Sequence, residues 1–304
     1  MPSNLPTNES EGRHKVGKLY VVATPIGNKD DITLRALNVL REVDLIAAED
    51  TRKTRRFLTR HNIKCSLISY HEHNEDKRTP KLINKLKSGV SIALVSNAGT
   101  PSVSDPGYRL IESAIIKNIK LVPIPGVSAA TAALSVAGFP TDTFVFAGFL
   151  SKRKAKRLKQ LNEVATEQRT IIFYESPKRI LSLLKEIIAT MGDRNGVLAR
   201  EMTKLHEEFV RGLLSEIIEK LKKRSEIKGE CTLLVSGRKE KKSISWEEVR
   251  KEIRSTLESN EEKVSEIARH LAKKYHLPKK KIYEEALRFR EQNVRNLKTE
   301  LPDL

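Results

Sequence analysis

The stretch ALVSNAGTPSVSDPGYRLI, Ala93 to Ile111, constrains the fold of this chain more than any other segment. Its apolar start, Ala93 to Val95, has the character of a buried strand, and a loop of small and turn-forming residues separates it from a helix. Asp105, Pro106 and Gly107 read as that helix's N-cap, first-turn proline and permissive residue. Ser96, Asn97, Ala98, Gly99 and Thr100 have almost no side-chain bulk, so a ligand lying over them reaches backbone N–H and C=O groups at the carboxyl end of a strand. Open α/β sheets bind small molecules at that position.

Around this segment strands and helices alternate. Strand-like runs at Leu19–Ala23, Leu45–Ala48, Ser66–Ser69, Ile92–Val95 and Lys120–Pro123 are separated by amphipathic stretches at Asp31–Arg41, Lys53–His61, Asp76–Lys87 and Pro106–Lys117. That alternation predicts βα units and a largely parallel sheet over 17–124. A second block, 125–237, has strands at Thr143–Ala147, Thr170–Phe173, Gly196–Ala199, Glu207–Arg211 and Cys231–Ser236, with helices near Val127–Val136, Lys154–Glu163, Lys178–Thr190 and Leu213–Lys223, and predicts a second, mixed α/β domain. Residues 238–244 read as a basic linker, and 245–304 as a small helical domain in which a helix, a short turn and a helix carry apolar Ile267, Leu271, Leu277, Ile282 and Leu287. A helix-turn-helix that touches nucleic acid and a plain packing or dimerisation bundle both fit that pattern.

At 304 residues the chain exceeds what one core comfortably serves, in line with several domains. The polar first 16 residues lack an apolar signal segment and read as a flexible tail, and no run reaches the length of a transmembrane helix, so a cytoplasmic protein without a membrane partner is expected. Cys65 and Cys231 have no CxxC spacing and sit in or beside strands, as buried thiols of a reducing compartment do. Lys and Arg number 57 against 39 Asp and Glu, a net charge of +18 spread over the chain, which favours a polyanionic partner through counterion release. Arg52, Arg55 and Arg56 cluster behind Glu49 and Asp50, while Lys152, Arg153 and Lys154 open a helix, where the macrodipole disfavours cations unless an external anion is present.

Further segments fall in a characteristic order: KLYVVATPIGN (Lys18 to Asn28), AAEDTRKTRRFL (Ala47 to Leu58), SYHEHNE (Ser69 to Glu75), PIPGVSAATAAL (Pro123 to Leu134), IFYESPKRI (Ile172 to Ile180), AREMTKLHEEFVRG (Ala199 to Gly212) and GECTLLVSG (Gly229 to Gly237). With the Ala93–Ile111 loop, they make the chain resemble the tetrapyrrole-methylase superfamily over Gly17 to Gly237, and within it the branch acting on small-subunit ribosomal RNA. The resemblance implies two α/β domains of the tetrapyrrole-methylase type with S-adenosylmethionine in the cleft between them, a homodimer, and ribose 2′-O-methylation of a cytidine in the decoding region of 16S ribosomal RNA. It carries over as cofactor-binding positions Thr24, Pro25, Ile26 and Gly27; Ala98, Gly99, Thr100 and Val103; Ser128 and Ala129; Tyr174 and Glu175; and Thr232 and Leu233. The chain departs from the usual pattern at Asn97, Ser151 and Lys178, which replace aspartate, proline and histidine; Asn97 keeps an acceptor and loses the charge.

Methyl transfer from a sulfonium requires alignment and removal of a proton from a weak nucleophile. Glu49, Asp50 and His71 follow strand ends and are the acid/base and substrate-orienting candidates, with a structural hydrogen-bond network as the competing reading. Arg200 and Lys204 in AREMTK are candidate phosphate clamps beside the arginine and lysine clusters. No metal site is expected, since His71, Glu72 and His73 lack a further ligand at suitable spacing, and neither GxGxxG nor a P-loop occurs. A tetrapyrrole or corrin-ring methyltransferase is the alternative on the same fold, against which stand the basic helical appendage and ATPIGN in place of a GxGPGD turn. A DNA-binding regulator led by the C-terminal helices is the other, and it leaves the cofactor-like loops without a purpose.

Overall fold

The computed structural model describes residues 16–238, 245–259, 263–275 and 277–299. The tail expected over 1–16 and the linker expected at 238–244 lie outside these residues, apart from Val16 and Arg238. The first sheet contains β1 (Leu19–Val22), β2 (Leu45–Ala48), β3 (Ser66–Ser69), β4 (Ile92–Val95) and β5 (Leu121–Ile124), in the order β3-β2-β4-β1-β5 with every pairing parallel. Alternate residues of these strands face opposite layers. Ala93 and Val95 pack with Ala36, Leu40 and Leu58 of α1 (Leu34–Glu42) and α2 (Thr51–Arg60), whereas Ile92 and Leu94 pack with Leu82, Leu86, Leu110 and Ala114 of α3 (Glu75–Lys87) and α4 (Tyr108–Ile116). β4 is therefore covered on both faces, which is why it reads as an unbroken apolar run. It leads into α4 on one face, while its neighbours β1 and β2 lead into α1 and α2 on the other. The connections diverge at the carboxyl end of β4 and open a crevice there.

The second sheet contains β6 (Phe144–Phe149), β7 (Thr170–Glu175), β8 (Asn195–Arg200), β9 (Glu208–Leu213) and β10 (Cys231–Val235), in the order β6-β7-β10-β8-β9; β6 and β7 are parallel and the rest antiparallel. One face is covered by α6 (Lys154–Glu163), α7 (Ile180–Met191) and α8 (Leu214–Lys222) over Phe173, Leu198 and Leu233. The other face packs against α5 (Ala129–Ser135) and against Ile26, which arrives from the turn after β1. The two sheets accordingly form one compact unit ending at Arg238, where separate domains meeting at 124/125 were expected. Gly27 shows how close the approach is: a Cβ there would lie 2.6 Å from Thr203 Oγ1 and 2.7 Å from the Met202 carbonyl oxygen. The neighbouring Asn28 N–H donates to Thr203 Oγ1 at 2.8 Å.

The second unit is helical, with α9 (Trp246–Ser259), α10 (Val264–Tyr275) and α11 (Lys279–Thr299) around Val249, Ile253, Ile267, Leu271, Ile282 and Ala286. Leu277 and Leu287 are half-buried against that core. Arg250 of α9 pairs with the largely buried Glu285 of α11 at 2.6 Å, and Lys281 lies 4.6 Å over the Trp246 ring.

α4 begins at Tyr108, with Gly107 at the N-cap and φ 140°, so Asp105 is not its cap and Pro106 is not its first turn. Glu75 of α3 supplies the acceptor instead, taking the Gly107 N–H on Oε1 at 2.8 Å. The Asp105 side chain is left to the loop, and the loop faces the crevice.

Candidate active site

The loop after β4 is clipped to the end of β1 by reciprocal backbone hydrogen bonds between Thr24 and Gly99, both 2.8 Å. The Thr24 hydroxyl donates to the Ser96 carbonyl at 3.1 Å. Gly99 has φ +80°, and Ser102 and Ser104 also adopt left-handed backbone at +68° and +63°, conformations that cost non-glycine residues energy and recur where a loop is shaped for a ligand. Beneath the loop lies a cavity of about 380 Å³. Ile26, Ala98, Val103, Ala129 and Phe149 give it apolar walls, and Glu49, Asn97, Asp105, Tyr174, Glu175 and Thr232 are polar residues of its lining.

Of the residues expected to bind a cofactor, Ile26, Ala98, Gly99, Thr100, Val103, Ser128, Ala129, Tyr174, Glu175 and Thr232 line this cavity together. Thr24, Pro25 and Gly27 do not; they line an adjoining cavity of about 310 Å³ that shares Ile26, Lys53, Asn97, Ala98 and Glu230 with the first. Leu233 lines neither, because strand alternation turns its side chain, fully buried, into the core beside Phe173 and Leu198. The Tyr174 hydroxyl accepts the Ala130 N–H at 3.0 Å, closing an open donor at the start of α5, and its ring packs edge-on to Phe146 and Phe149. Glu175 is 2 % exposed; Oε1 takes the Ser176 N–H at 2.7 Å and Arg179 at 2.6 Å, while Oε2 is buried without a partner. Asn97 Oδ1 is likewise buried and unpartnered.

On the other side of Asn97 a polar cavity of about 590 Å³ collects Glu49, Asp50, Arg52, His71 and His73. Glu49, Asn97, Ser104 and Asp105 line both this cavity and the apolar-walled one. Glu49 Oε2 accepts the Asn97 N–H at 2.9 Å. Asp50 is the N-cap of α2, accepting from the Arg52 and Lys53 N–H groups at 2.9 and 3.4 Å, and the Arg52 N–H holds its carboxyl below the usual range. His71 is bracketed by Asn74, whose Oδ1 accepts the His71 N–H at 2.9 Å and whose Nδ2 lies 3.1 Å from His71 Nε2.

Asp105 is a site residue that the sequence conceals, because its local signal, Asp-Pro-Gly ahead of a helix, is also that of a cap. Burial, reinforced by the like charges of Glu49 and Glu230 and opposed by a hydrogen bond from Ser96, pushes its carboxyl up to about 7. Cys231, at the far wall, is pushed up to about 11, chiefly by burial, and is an inert thiol.

The expected cations divide. Arg52, Arg55, Arg56, Lys152, Arg153 and Lys154 are exposed, and the last three sit at the start of α6, where no side chain caps the helix. Arg200 is 8 % exposed and engaged with Glu208 at 2.6 Å and with the Lys228 carbonyl, so it braces β8 and β9 instead of facing an outside phosphate. Lys204 is held by Glu201 at 2.8 Å and Glu230 at 3.1 Å, which neutralises it as a clamp although it borders the smaller cavity.

Residues 18–218 match the family described as Tetrapyrrole (Corrin/Porphyrin) Methylases. The chain is 46% identical over 238 residues to a protein of Halalkalibacterium halodurans, covering 77% of this chain and 82% of that one, and 44% identical over 275 residues to one of Synechocystis, covering 90% and 98%. A Thermotoga maritima relative is 48% identical over 223 residues, 73% of this chain and all of that one; each of the three is named Ribosomal RNA small subunit methyltransferase I. Among solved structures, the methyltransferase CobJ aligns with a TM-score of 0.56 at 20% identity, covering 73% of this chain and 94% of that one. Uroporphyrin-III C-methyltransferase of Thermus thermophilus, complexed with S-adenyl homocysteine, aligns with 0.52 at 18%, covering 72% and 97%. These two likenesses concern the fold: five parallel strands, a mixed second sheet and a crevice at the end of β4. The chain belongs to the tetrapyrrole methylases, among the proteins named ribosomal RNA small subunit methyltransferase I.

Proposed function

We propose that this protein transfers a methyl group from S-adenosylmethionine to the RNA of the small ribosomal subunit, at the ribose 2′-hydroxyl of a cytidine in the decoding region of 16S ribosomal RNA. The name shared by the relatives supports the RNA, and the resemblance read from the sequence supports the nucleotide and its hydroxyl. The observation that carries the chemistry is the pairing of an apolar-walled cavity with a polar one across the shared residues Glu49, Asn97, Ser104 and Asp105. S-adenosylmethionine presents an ammonium, ribose hydroxyls and an adenine amino group as donors. The buried, unpartnered acceptors Asn97 Oδ1 and Glu175 Oε2 border the first cavity and suit such donors, and its apolar walls suit the adenine ring. When bound, this donor supplies a methyl carbon activated by the adjacent sulfonium.

The chain's own residues then hold the reactants. Ile26, Val103 and Phe149 offer apolar surface to the donor in the first cavity, Gly99 and Thr100 offer backbone groups, and Glu49 and His71 orient the hydroxyl entering through the polar cavity, with Asp50 fixing the start of α2. Exposed cations on α2 and at the start of α6 hold the RNA backbone. The working protein is a cytoplasmic homodimer on this reading, and no helix among the described residues is long and apolar enough to cross a membrane.

Purified protein with radiolabelled donor should methylate assembled small subunits, the label mapping to a ribose 2′-oxygen. Label in a tetrapyrrole precursor with none in subunits or free RNA overturns the reading.

A further inference from the structure

We infer that the cavity of about 310 Å³ beside the donor cavity is a phosphate subsite, in which Lys29, Lys53 and Arg56 together hold the one phosphodiester on the 3′ side of the target nucleotide. The inference deepens the proposed RNA 2′-hydroxyl chemistry and rests on it. Lys29 lies on the short helical turn that follows β1, while Lys53 and Arg56 stand one turn apart on the same face of α2. Elements distant in sequence thus bring three cations to one concave surface.

Charge sorts the three cavities. The donor cavity has Glu49, Asp105, Glu175 and Glu230 in its lining against Lys53, which suits a cationic donor. The polar cavity has Glu49, Asp50, Glu72 and Asp105 against Arg52, itself 3.5 Å from Asp50. The third reverses the balance, with Lys29, Lys53, Arg56 and Lys204 against Glu230 alone. Lys204 lies 3.1 Å from that carboxylate and cancels it. Among the described residues no carboxylate engages Lys29, Lys53 or Arg56, whereas their neighbours Arg52 and Arg60 lean on Asp50 and Asp30. A phosphodiester is therefore drawn to this cavity and repelled from the other two.

Connectivity selects the phosphate. Asn97 lines all three cavities, so a ribose whose 2′-hydroxyl meets the donor at that junction has its other substituents directed to the remaining two. The 2′ and 3′ carbons of ribose are bonded to each other, and the 3′-phosphodiester is the phosphate nearest the reacting oxygen; the 5′-phosphodiester lies across the ring. Lys53 lines both the donor cavity and the cationic one, which is where that nearest phosphate falls. A phosphodiester beside a hydroxyl disfavours the oxyanion that develops during transfer, and a cation on the phosphodiester offsets this. Lys53 accordingly contributes to the rate once RNA is bound, and Lys29 and Arg56 contribute to affinity.

The test combines the affinity of protein loaded with S-adenosylhomocysteine for small subunits, titrated against salt, with single-turnover transfer at saturating subunits. The joint replacement Lys29→Ala, Lys53→Ala, Arg56→Ala should keep the wild-type melting temperature, since all three side chains are exposed, and should bind about tenfold or more weakly. Because the three cations share one phosphate, the slope of log affinity against log salt should shrink by about 1, where three separate phosphates would remove about 3. Lys53→Ala alone should lower the saturated rate by about tenfold and Lys53→Arg should restore most of it, whereas Lys29→Ala with Arg56→Ala should weaken binding and leave the saturated rate within about threefold of wild type. Subunits reconstituted with a neutral methylphosphonate linkage on the 3′ side of the target cytidine supply the positional readout. That linkage should weaken the wild type to the level of the triple variant and cost the triple variant nothing further, and the same linkage on the 5′ side should leave the difference between the two proteins intact. A salt slope that is unchanged or falls by about 3, or an equal loss in both proteins from the 3′ linkage, overturns the inference alone. Wild-type protein that labels a tetrapyrrole precursor and no subunit overturns the functional reading and this inference together.

Discussion

The backbone N–H of Asn97 donates to Glu49 Oε2 at 2.9 Å, tying the loop after β4 to the end of β2. That bond fixes a carboxylate at the wall common to two cavities and leaves Asn97 Oδ1 facing inward without a partner. The resemblance read from the sequence implies aspartate at this position, and its neutral counterpart here adds no charge to that wall.

Asn97→Asp should therefore stay folded while shifting the titration of the Asp105 carboxyl to higher pH, by up to about one unit, because a further carboxylate disfavours ionisation of its neighbours. An infrared pH titration of the carboxyl bands measures it, and an unmoved midpoint would place the side chain out of electrostatic reach of Asp105.

Asp50 separates a capping role from a chemical one. Asparagine caps helices as well as aspartate does, whereas alanine does not. Asp50→Ala should lower the melting temperature and loosen the start of α2, and Asp50→Asn should preserve the melting temperature and most of the transfer rate. Equal collapse of the rate in both would move the acid/base role to Asp50.

The joint replacement Lys152→Ala, Arg153→Ala, Lys154→Ala removes three exposed charges from the start of α6. RNA affinity should fall, and the slope of log affinity against log salt should shrink by about 2 to 3, a near-unit step for every phosphate that is no longer neutralised. An unchanged salt slope in a binding titration assigns these residues to solvation alone.

Truncation after Arg238 ends the chain where its N–H still donates to the Glu167 carbonyl at 2.7 Å, so the first unit should stay folded and bind donor normally. Affinity for small subunits should drop and become less salt-dependent if the helical unit contacts RNA. Unchanged RNA affinity with a change of oligomeric state, read by light scattering, favours a packing role.

Asp105 also links stability to pH. Its folded-state carboxyl titrates at about 7 against 3.8 as the ordinary value, so between these limits the folded state holds a proton that the unfolded state has released. Its contribution is retained below about 4 and lost as pH rises toward 7. Asp105→Asn should accordingly melt higher than wild type at pH 8, by roughly 2–4 °C for about 1 kcal/mol in a unit of this size, and show little difference near pH 4. A scanning calorimeter at the two pH values reads this directly.

Much of the molecule follows from local pattern. β4 is recognisable because a strand covered on both faces must be apolar at every position, and the small residues after it mark backbone accessible to a ligand. The span Lys154–Glu163 of α6 follows from helical periodicity alone. The basic residues are harder to sort. Arg200 and Lys204 have the same sequence character as Arg55 and Arg56, and only the fold brings Glu208, Glu201 and Glu230 against the first pair and leaves the second in water.

The sequence by itself determined the order of strands and helices, the loop that shapes the site, the chemical class of most residues around it and the excess of positive charge, because periodicity, turn chemistry and composition act over short distances along the chain. Tertiary structure decided what depends on residues far apart in sequence. It joined the two sheets through Ile26 and Gly27, divided the expected cofactor residues between adjoining cavities, turned Leu233 into the core, and moved Asp105 from the start of a helix to the wall shared by two cavities. Burial and the nearness of one carboxylate to another set the proton affinity of that residue, and neither exists until the chain has folded.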